Sequence, residues 1–291
     1  MRLVAFSRSG IPGVGLLVDE TIRGRLSYDP LFPGELDDLI RDGDSGRARL
    51  TALADGPEFS AEEIEFRPPF SRSNKIICVG LNYRDHTAET TFKQPDYPTL
   101  FPRFTTSLVA HRAPIVRPRV SHALDFEGEL VAAIGIGGRH IPASDALSHV
   151  FGYSIFNDAS LRDFQHRTPQ WTIGKNFDGT GAFGPVLVTS DELPLGAAGL
   201  KLETRLNGQV VQASNTALMI FDVATLVATI SEAISLLPGD LIVTGTPSGI
   251  GHARSPRLYM KPGDIIEVEI ERIGVLRNEI VDEKLQVRQV S

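Results

Sequence analysis

The sequence predicts a mainly β fold with a helical minority, an α+β chain, and three observations carry that prediction. From residue 76 onward, apolar runs rich in Val and Ile alternate with Gly and Pro: "IICVG", "ELVAAIGIG", "GPVLVT", "DLIVTGTP" and "DIIEVEIERIGVLRNEIV". Within "LKLETRLNGQVVQAS", two alternating segments flank Asn207 and Gly208, the pair best suited to a two-residue hairpin turn. The main helix candidate, "MIFDVATLVATISEAISLL" (219–237), is apolar at helical spacing and is stopped by Pro238 and Gly239.

Taken in order, residues 1 to about 66 read as short strands ("RLVAFS", "GVGLLVD") followed by an acidic, Gly- and Arg-rich stretch with a helix around 35–54. "RPPFSRSNK" (67–75) is the best boundary, because a residue before proline avoids helix. It divides the chain into a small domain, 1–70, sparse in chemistry, and a motif-dense domain, 71–291. No internal repeat or low-complexity tract is visible.

A chain of 291 residues can bury a substantial core. Its formal net charge of -7 offers no basic surface of the kind nucleic acid requires. Arg2, Ser7 and Arg8 interrupt the first apolar stretch, so the hydrophobic region of a signal peptide is missing. No stretch approaches the roughly 18 uninterrupted apolar residues of a membrane span. Cys78, the single cysteine, cannot form an internal disulfide, which fits a reducing cytoplasm. The expectation is a cytoplasmic protein without nucleic-acid or membrane partners.

The chemistry begins at "DFEGELVAAIG" (125–135), where Asp125, Glu127 and Glu129 stand at every second position before an apolar run. In one continuous strand they would share a face. A solvated face is the bland reading, but the following run reads as a buried strand, and burying unpaired carboxylates costs several kcal/mol each. A hard cation such as Mg²⁺, Mn²⁺ or Ca²⁺ removes that cost, and all-oxygen ligands favour it over zinc. Glu127 and Glu129 can converge on one ion. Asp125 is a third ligand or a residue behind the ligands. Asp158, in "GYSIFNDASLRDFQ", is either a ligand from another strand or a helix cap.

Here the residues resemble the fumarylacetoacetate hydrolase family. The matching stretches are "IICVGLNYRDHTAE", "DFEGELVAAIG", "FNDASLRDFQ", "WTIGKNFDGTGAFGP", "NGQVVQASNTALMIF", "LLPGDLIVTGTPSGIG" and "MKPGDIIEVEIERIGVLRN", in order from about residue 74 to 280. Residues 1–70 look only like the small, variable amino-terminal α/β domain of many bacterial members. The resemblance implies a mixed β-roll core and a divalent ion, usually Mg²⁺ or Mn²⁺, on Glu127, Glu129 and Asp158. It also implies a homodimer acting on oxo-acids that contain a pyruvyl unit. Hydrolysis, decarboxylation and isomerisation all occur in the family, so membership does not name the reaction.

The leading expectation is hydrolysis of a carbon-carbon bond in an acylpyruvate or related 2,4-dioxo acid, with the ion stabilising the enolate of the departing pyruvate. His86 and Glu89 lie three apart and would activate the water, as a His-Glu pair does in the hydrolytic members. Lys175 in "GKNFD" is the first choice for stabilising the oxyanion. Arg162, Gln165 and Thr246 match the family's substrate-contacting positions. "VTGTPSGIG" lacks both phosphate-loop patterns and reads as a tight loop bringing amides to the substrate. Residues 84–104 suit a lid. Arg84, Arg103, His166 and Arg167 either bind a second carboxylate or are solvated charges. Two readings compete: an oxaloacetate-type decarboxylase or 2-hydroxymuconate-type isomerase using the same enolate chemistry, and an inactive metal-binding homologue.

Overall fold

The structure, a computed structural model, describes residues 1–84 and 96–284. It is mainly β with few helices, as the sequence predicts. The amino-terminal segment forms a meander of β1 (Arg2–Arg8), β2 (Ile11–Val18) and β3 (Thr21–Leu26), followed by the short β4 (Glu58–Phe59) and β5 (Glu65–Phe66). The expected helix at 35–54 is broken into helices Leu36–Arg41 and Gly43–Arg49 and a 3₁₀ turn, Leu50–Leu53. The break falls at Gly43, whose φ of 59° a side-chain-bearing residue adopts reluctantly.

Next come β6 (Ile76–Gly80), β7 (Thr99–Arg103), β8 (Leu108–Ala110), β9 (Ile115–Arg117), β10 (Leu124–Asp125) and β11 (Gly128–Ile134). The middle of the chain supplies β12 (Val150–Asp158), β13 (Ser160–Leu161) and β14 (Gly181–Thr189). Then follow β15 (Lys201–Leu206), β16 (Gln209–Asn215), β17 (Leu241–Val243), β18 (Ile265–Ile270) and β19 (Gly274–Asp282).

A large sheet runs in the order β4-β3-β2-β1-β14-β12-β11-β17-β6-β7, with β5 on β1 and β8 on β14. Through the antiparallel pairing of β1 with β14, the amino-terminal strands extend the sheet formed by the rest of the chain. A five-stranded sheet, β16-β15-β18-β19-β9, is separate, and β10 pairs only with β13.

Every residue of β11 is buried, which explains why its sequence is apolar without alternation. Leu130 and Ala132 join one hydrophobic cluster, and Val131 and Ala133 join another on the opposite face. The small sheet lies so close to β11 that a Cβ on Gly128 would meet Thr204 Oγ1 at 2.3 Å. The Asn-Gly hairpin joins β15 to β16, with φ of 51° at Asn207 and 78° at Gly208. The helix expected over 219–237 is shorter, Val223–Ala233, because the Asp222 side chain accepts a hydrogen bond from the Thr225 amide and sets its start. No helix among the described residues is long and apolar enough to cross a membrane.

Candidate functional site

Glu127 and Glu129 flank the first residue of β11, in the middle of the large sheet, and the backbone between them is held from several sides. The Glu127 amide donates to Asn157 Oδ1 at 3.0 Å, the Asp158 amide to the Glu127 carbonyl at 2.8 Å, and the Gly128 amide to Gln212 Oε1 at 3.0 Å. Gln212 Nε2 also donates to Thr246 Oγ1 at 2.9 Å, and that hydroxyl donates to the Gly128 carbonyl at 3.1 Å. β12, hydrogen-bonded to β11, ends at Asp158 and so delivers the third carboxylate from the neighbouring strand.

Ligand atoms of Glu127, Glu129 and Asp158 lie within 4.8 Å of one another, and all three residues are buried. Asp125 does not join them. The single strand expected from 125 to 129 is interrupted, since β10 ends at Asp125 and β11 starts at Gly128. Asp125 instead accepts from Arg162 Nε at 2.8 Å, the Gly251 amide at 2.8 Å and the His252 amide at 2.9 Å. With the Phe126 amide at 2.9 Å as a fourth donor, Asp125 is fully engaged and supports Arg162 from behind the carboxylate trio.

Cations surround the trio. Lys175 Nζ, 1% exposed, sits 2.5 Å from Glu127 Oε2 and 2.6 Å from Asp158 Oδ2. Arg162 reaches Glu127 Oε1 at 2.6 Å, and Arg103 Nε reaches Asp158 Oδ1 at 2.6 Å. Arg103 is therefore a buried member of the cluster rather than a solvated charge. Burial pushes the Lys175 ammonium down, but Asp158 and Glu127 outweigh it and its pKa ends above that of ordinary lysine. Glu129 is pushed well above the usual carboxylate range by burial, then by Asp158 and Glu127. The Lys175 charge and the Gly245 amide, which donates to Glu129 Oε2 at 2.5 Å, offset this in part. A buried carboxyl in that position ionises readily only beside a further positive charge. Three convergent oxygen donors without sulfur or imidazole suit a hard divalent ion, so the residues fit Mg²⁺ or Mn²⁺.

The trio opens into a pocket whose wall includes Glu127, Glu129, Arg162, Gln165, Lys175 and Thr246. The structure thus brings together every predicted ligand, Lys175 and the three substrate-binding candidates. Arg162 Nη1 donates to Gln165 Oε1 at 2.8 Å, which leaves the Gln165 amide NH₂ as a donor for another oxygen. The Thr246 hydrogen is committed to Gly128, so its hydroxyl offers a remaining lone pair rather than a proton. His86 and Glu89 lie outside the described residues, as does most of the lid segment expected over 84–104. Of its remainder, 99–103 form β7, paired to β6. His166 lines the pocket, whereas Arg167 is exposed and stacks on Phe164 at 3.6 Å.

Several pocket residues were not anticipated from sequence. Trp171 packs edge-on against Phe101 at 5.5 Å, and a Cβ on Gly80 would meet its ring at 2.2 Å. Glycine at position 80 is what lets the indole lie on β6. His252 contributes a second imidazole beside His166, with ring centroids 5.1 Å apart. A lone Trp after a proline-containing loop, and a His in a Gly-rich loop, carry no local periodicity that would mark them.

The family model for the fumarylacetoacetate (FAA) hydrolase C-terminal region matches residues 75–281. The chain is 38% identical over 290 residues to the protein named oxaloacetate tautomerase Fahd2a, mitochondrial, of Rattus norvegicus, covering 97% of this chain and 92% of that one. Among solved structures, a fumarylacetoacetate hydrolase from Exiguobacterium antarcticum superposes with a TM-score of 0.85 at 34% identity, covering 97% of this chain and all of that chain (100%). The maleylpyruvate hydrolase of Sphingobium sp. SYK-6, solved with manganese(II) and pyruvate, gives a TM-score of 0.81 at 25% identity, covering 98% of this chain and 100% of its own.

Proposed function

Because the chain belongs to the fumarylacetoacetate hydrolase family, we propose that it is a divalent-metal-dependent enol-keto tautomerase of small 2-oxo acids, with oxaloacetate as the first candidate substrate. The observation that carries this reading is the buried trio of Glu127, Glu129 and Asp158 facing a pocket whose wall holds Lys175, Arg162 and Gln165. The likeness to a relative named oxaloacetate tautomerase along 97% of this chain supports the choice of reaction.

Glu127, Glu129 and Asp158 would hold the divalent ion, which would supply Lewis-acid polarisation of a 2-oxo oxygen. The chain's own residues do the rest. Lys175 holds a proton at Nζ inside the site and is the described group able to pass one to or from the reacting acid. Arg162 and the Gln165 amide bind and orient substrate oxygens. Phe101 and Trp171 exclude water from one side, which strengthens each of these charges. Tautomerisation moves one proton from the enol oxygen to carbon and needs no activated water.

A second reading is hydrolysis of an acylpyruvate, favoured by His86 and Glu89 in the sequence as a water-activating pair. The expected cytoplasmic location and homodimer belong to the proposal as well, the latter to be read from solution mass. The deciding experiment follows the ultraviolet decay of enol-oxaloacetate with Mg²⁺ or Mn²⁺ and with chelator, alongside pyruvate and CO₂ release from oxaloacetate and from acylpyruvates. Faster enol decay without CO₂ supports tautomerisation, and pyruvate release from acylpyruvates that is lost in His86→Ala supports hydrolysis. No acceleration over the buffer blank would overturn the first reading.

A further inference from the structure

Two histidines share the pocket with the carboxylate trio. His166 follows the helix Arg162–Gln165, and His252 lies in the turn Gly251–Ala253. Their rings stack with 31° between planes. The Tyr259 hydroxyl lies 2.7 Å from His252 Nδ1, and the Arg257 guanidinium interacts with the same hydroxyl. The contact with Tyr259 holds the ring in place whichever of the two groups donates. With Nδ1 engaged by Tyr259, Nε2 is the ring nitrogen left for a further partner. The His252 backbone amide is bonded to Asp125, which also holds Arg162, so the imidazole is anchored to the network that would orient the 2-oxo head.

Arg162, Arg257 and Lys175 face the imidazoles, while the carboxylate acting on His166, Glu127, is already paired with Arg162 and Lys175. Burial and then the arginines hold His252 down to about 4 and depress His166 in the same direction. Arg162 and Lys175 are themselves engaged by acids, so the charge left over beside both rings is that of Arg257, which is in no ion pair among the described residues and makes the pair a complement to an anion.

We propose that His166, His252 and Arg257 form a distal subsite for the far carboxylate of a 2-oxo dicarboxylic acid, so that this chain selects diacids over monoacids of equal length. The inference rests on the 2-oxo acid reading of the site. It concerns selection and is independent of whether the bound acid is tautomerised or hydrolysed.

Calorimetry on the Mn²⁺-loaded protein tests it with matched pairs: 2-oxoglutarate against 2-oxovalerate, and 2-oxoadipate against 2-oxohexanoate. A charge-assisted contact predicts roughly tenfold or greater preference for the better-fitting diacid. His252→Phe and His166→Phe keep a planar ring and are expected to reduce that preference to about threefold or less, with monoacid affinity unchanged. Arg257→Gln, at an exposed position, is expected to act in the same sense without a folding cost. A wild-type protein without diacid preference overturns the subsite, as does a preference untouched by all three substitutions. Equal loss of monoacid and diacid affinity also overturns it, because the rings would then serve only the scaffold. If Mn²⁺ binds but neither class of acid does, the 2-oxo acid reading itself fails.

Discussion

Removing the Asp125 carboxylate should cost more stability than the ion pair it belongs to supplies. Burial raises the Asp125 pKa despite Arg162, the mark of a charge whose desolvation is only partly repaid. The pair as a whole is therefore worth little. Breaking it is another matter, because Asp125→Ala leaves Arg162 buried with Glu127 as its remaining acidic partner and strips the Gly251 and His252 amides of their acceptor. Losing one partner of a buried pair costs ~3–5 kcal/mol, and each orphaned amide adds ~1–3 kcal/mol. These contributions overlap, since water can enter the space, so we expect a loss of about 4 kcal/mol against a typical domain stability of about 5–15 kcal/mol. Asp125→Asn should lose at least about half as much, because its NH₂ must face one of the donors whichever way the amide is turned. Urea unfolding at pH 7 with chelator present measures the loss free of metal linkage. A loss below about 1 kcal/mol would refute the reasoning, and abolished metal binding at unchanged stability would make Asp125 a ligand after all.

Lys175→Met should lower turnover by about 100-fold or more while leaving Mn²⁺ affinity equal or higher, because the ammonium competes for Glu127 and Asp158; steady-state kinetics and calorimetry read the two effects separately. Glu127→Gln and Glu129→Gln should each abolish divalent-ion binding, and unchanged affinity would show the ligand assignment to be wrong. His111, held down to about 4 by burial and then by Arg112 and Arg277, accepts the Arg277 amide as a neutral ring. Its depressed native pKa means that the unfolded chain takes the proton first, so stability is present above pH 6.5 and falls away as pH drops towards 4. The loss is on the order of 2 kcal/mol after solvent screening. His111→Asn keeps an acceptor and should flatten that acid-side slope in urea midpoints measured across this range.

Sequence reasoning reached the β-rich character, the Asn207-Gly208 turn and the residues converging on the trio, because each rests on local pattern or on motif order. What it could not reach depends on partners far along the chain. Asp125, Glu127 and Glu129 look equivalent at every-second spacing, yet β10 pairs with β13 and β11 with β12, and that change of partner turns Asp125 towards Arg162. The pairing of β1 with β14 joins residues roughly 185 positions apart, from Leu3 to Leu187 and Arg2 to Val188, and nothing in either strand announces the other. Arg103 looked like a lid charge because the stretch 84–104 as a whole is polar, Pro-containing and without clear periodicity, but β7 lies against β6 and carries it inward to Asp158. Trp171 and His252 enter the pocket from irregular segments, where neither period nor propensity gives direction.

The position of β11 between β12 and β17 has a kinetic consequence. Amides of residues 130–133 are enclosed by strands on both edges, so they should be among the last to exchange with deuterated solvent, opening only when the whole sheet does. Two of the three carboxylates sit at the head of that strand and the third at the end of its neighbour. A cage mounted on so slow a frame does not resize itself for its guest, and discrimination between ions of different radius then falls to the fixed gap rather than to side chains adjusting around it.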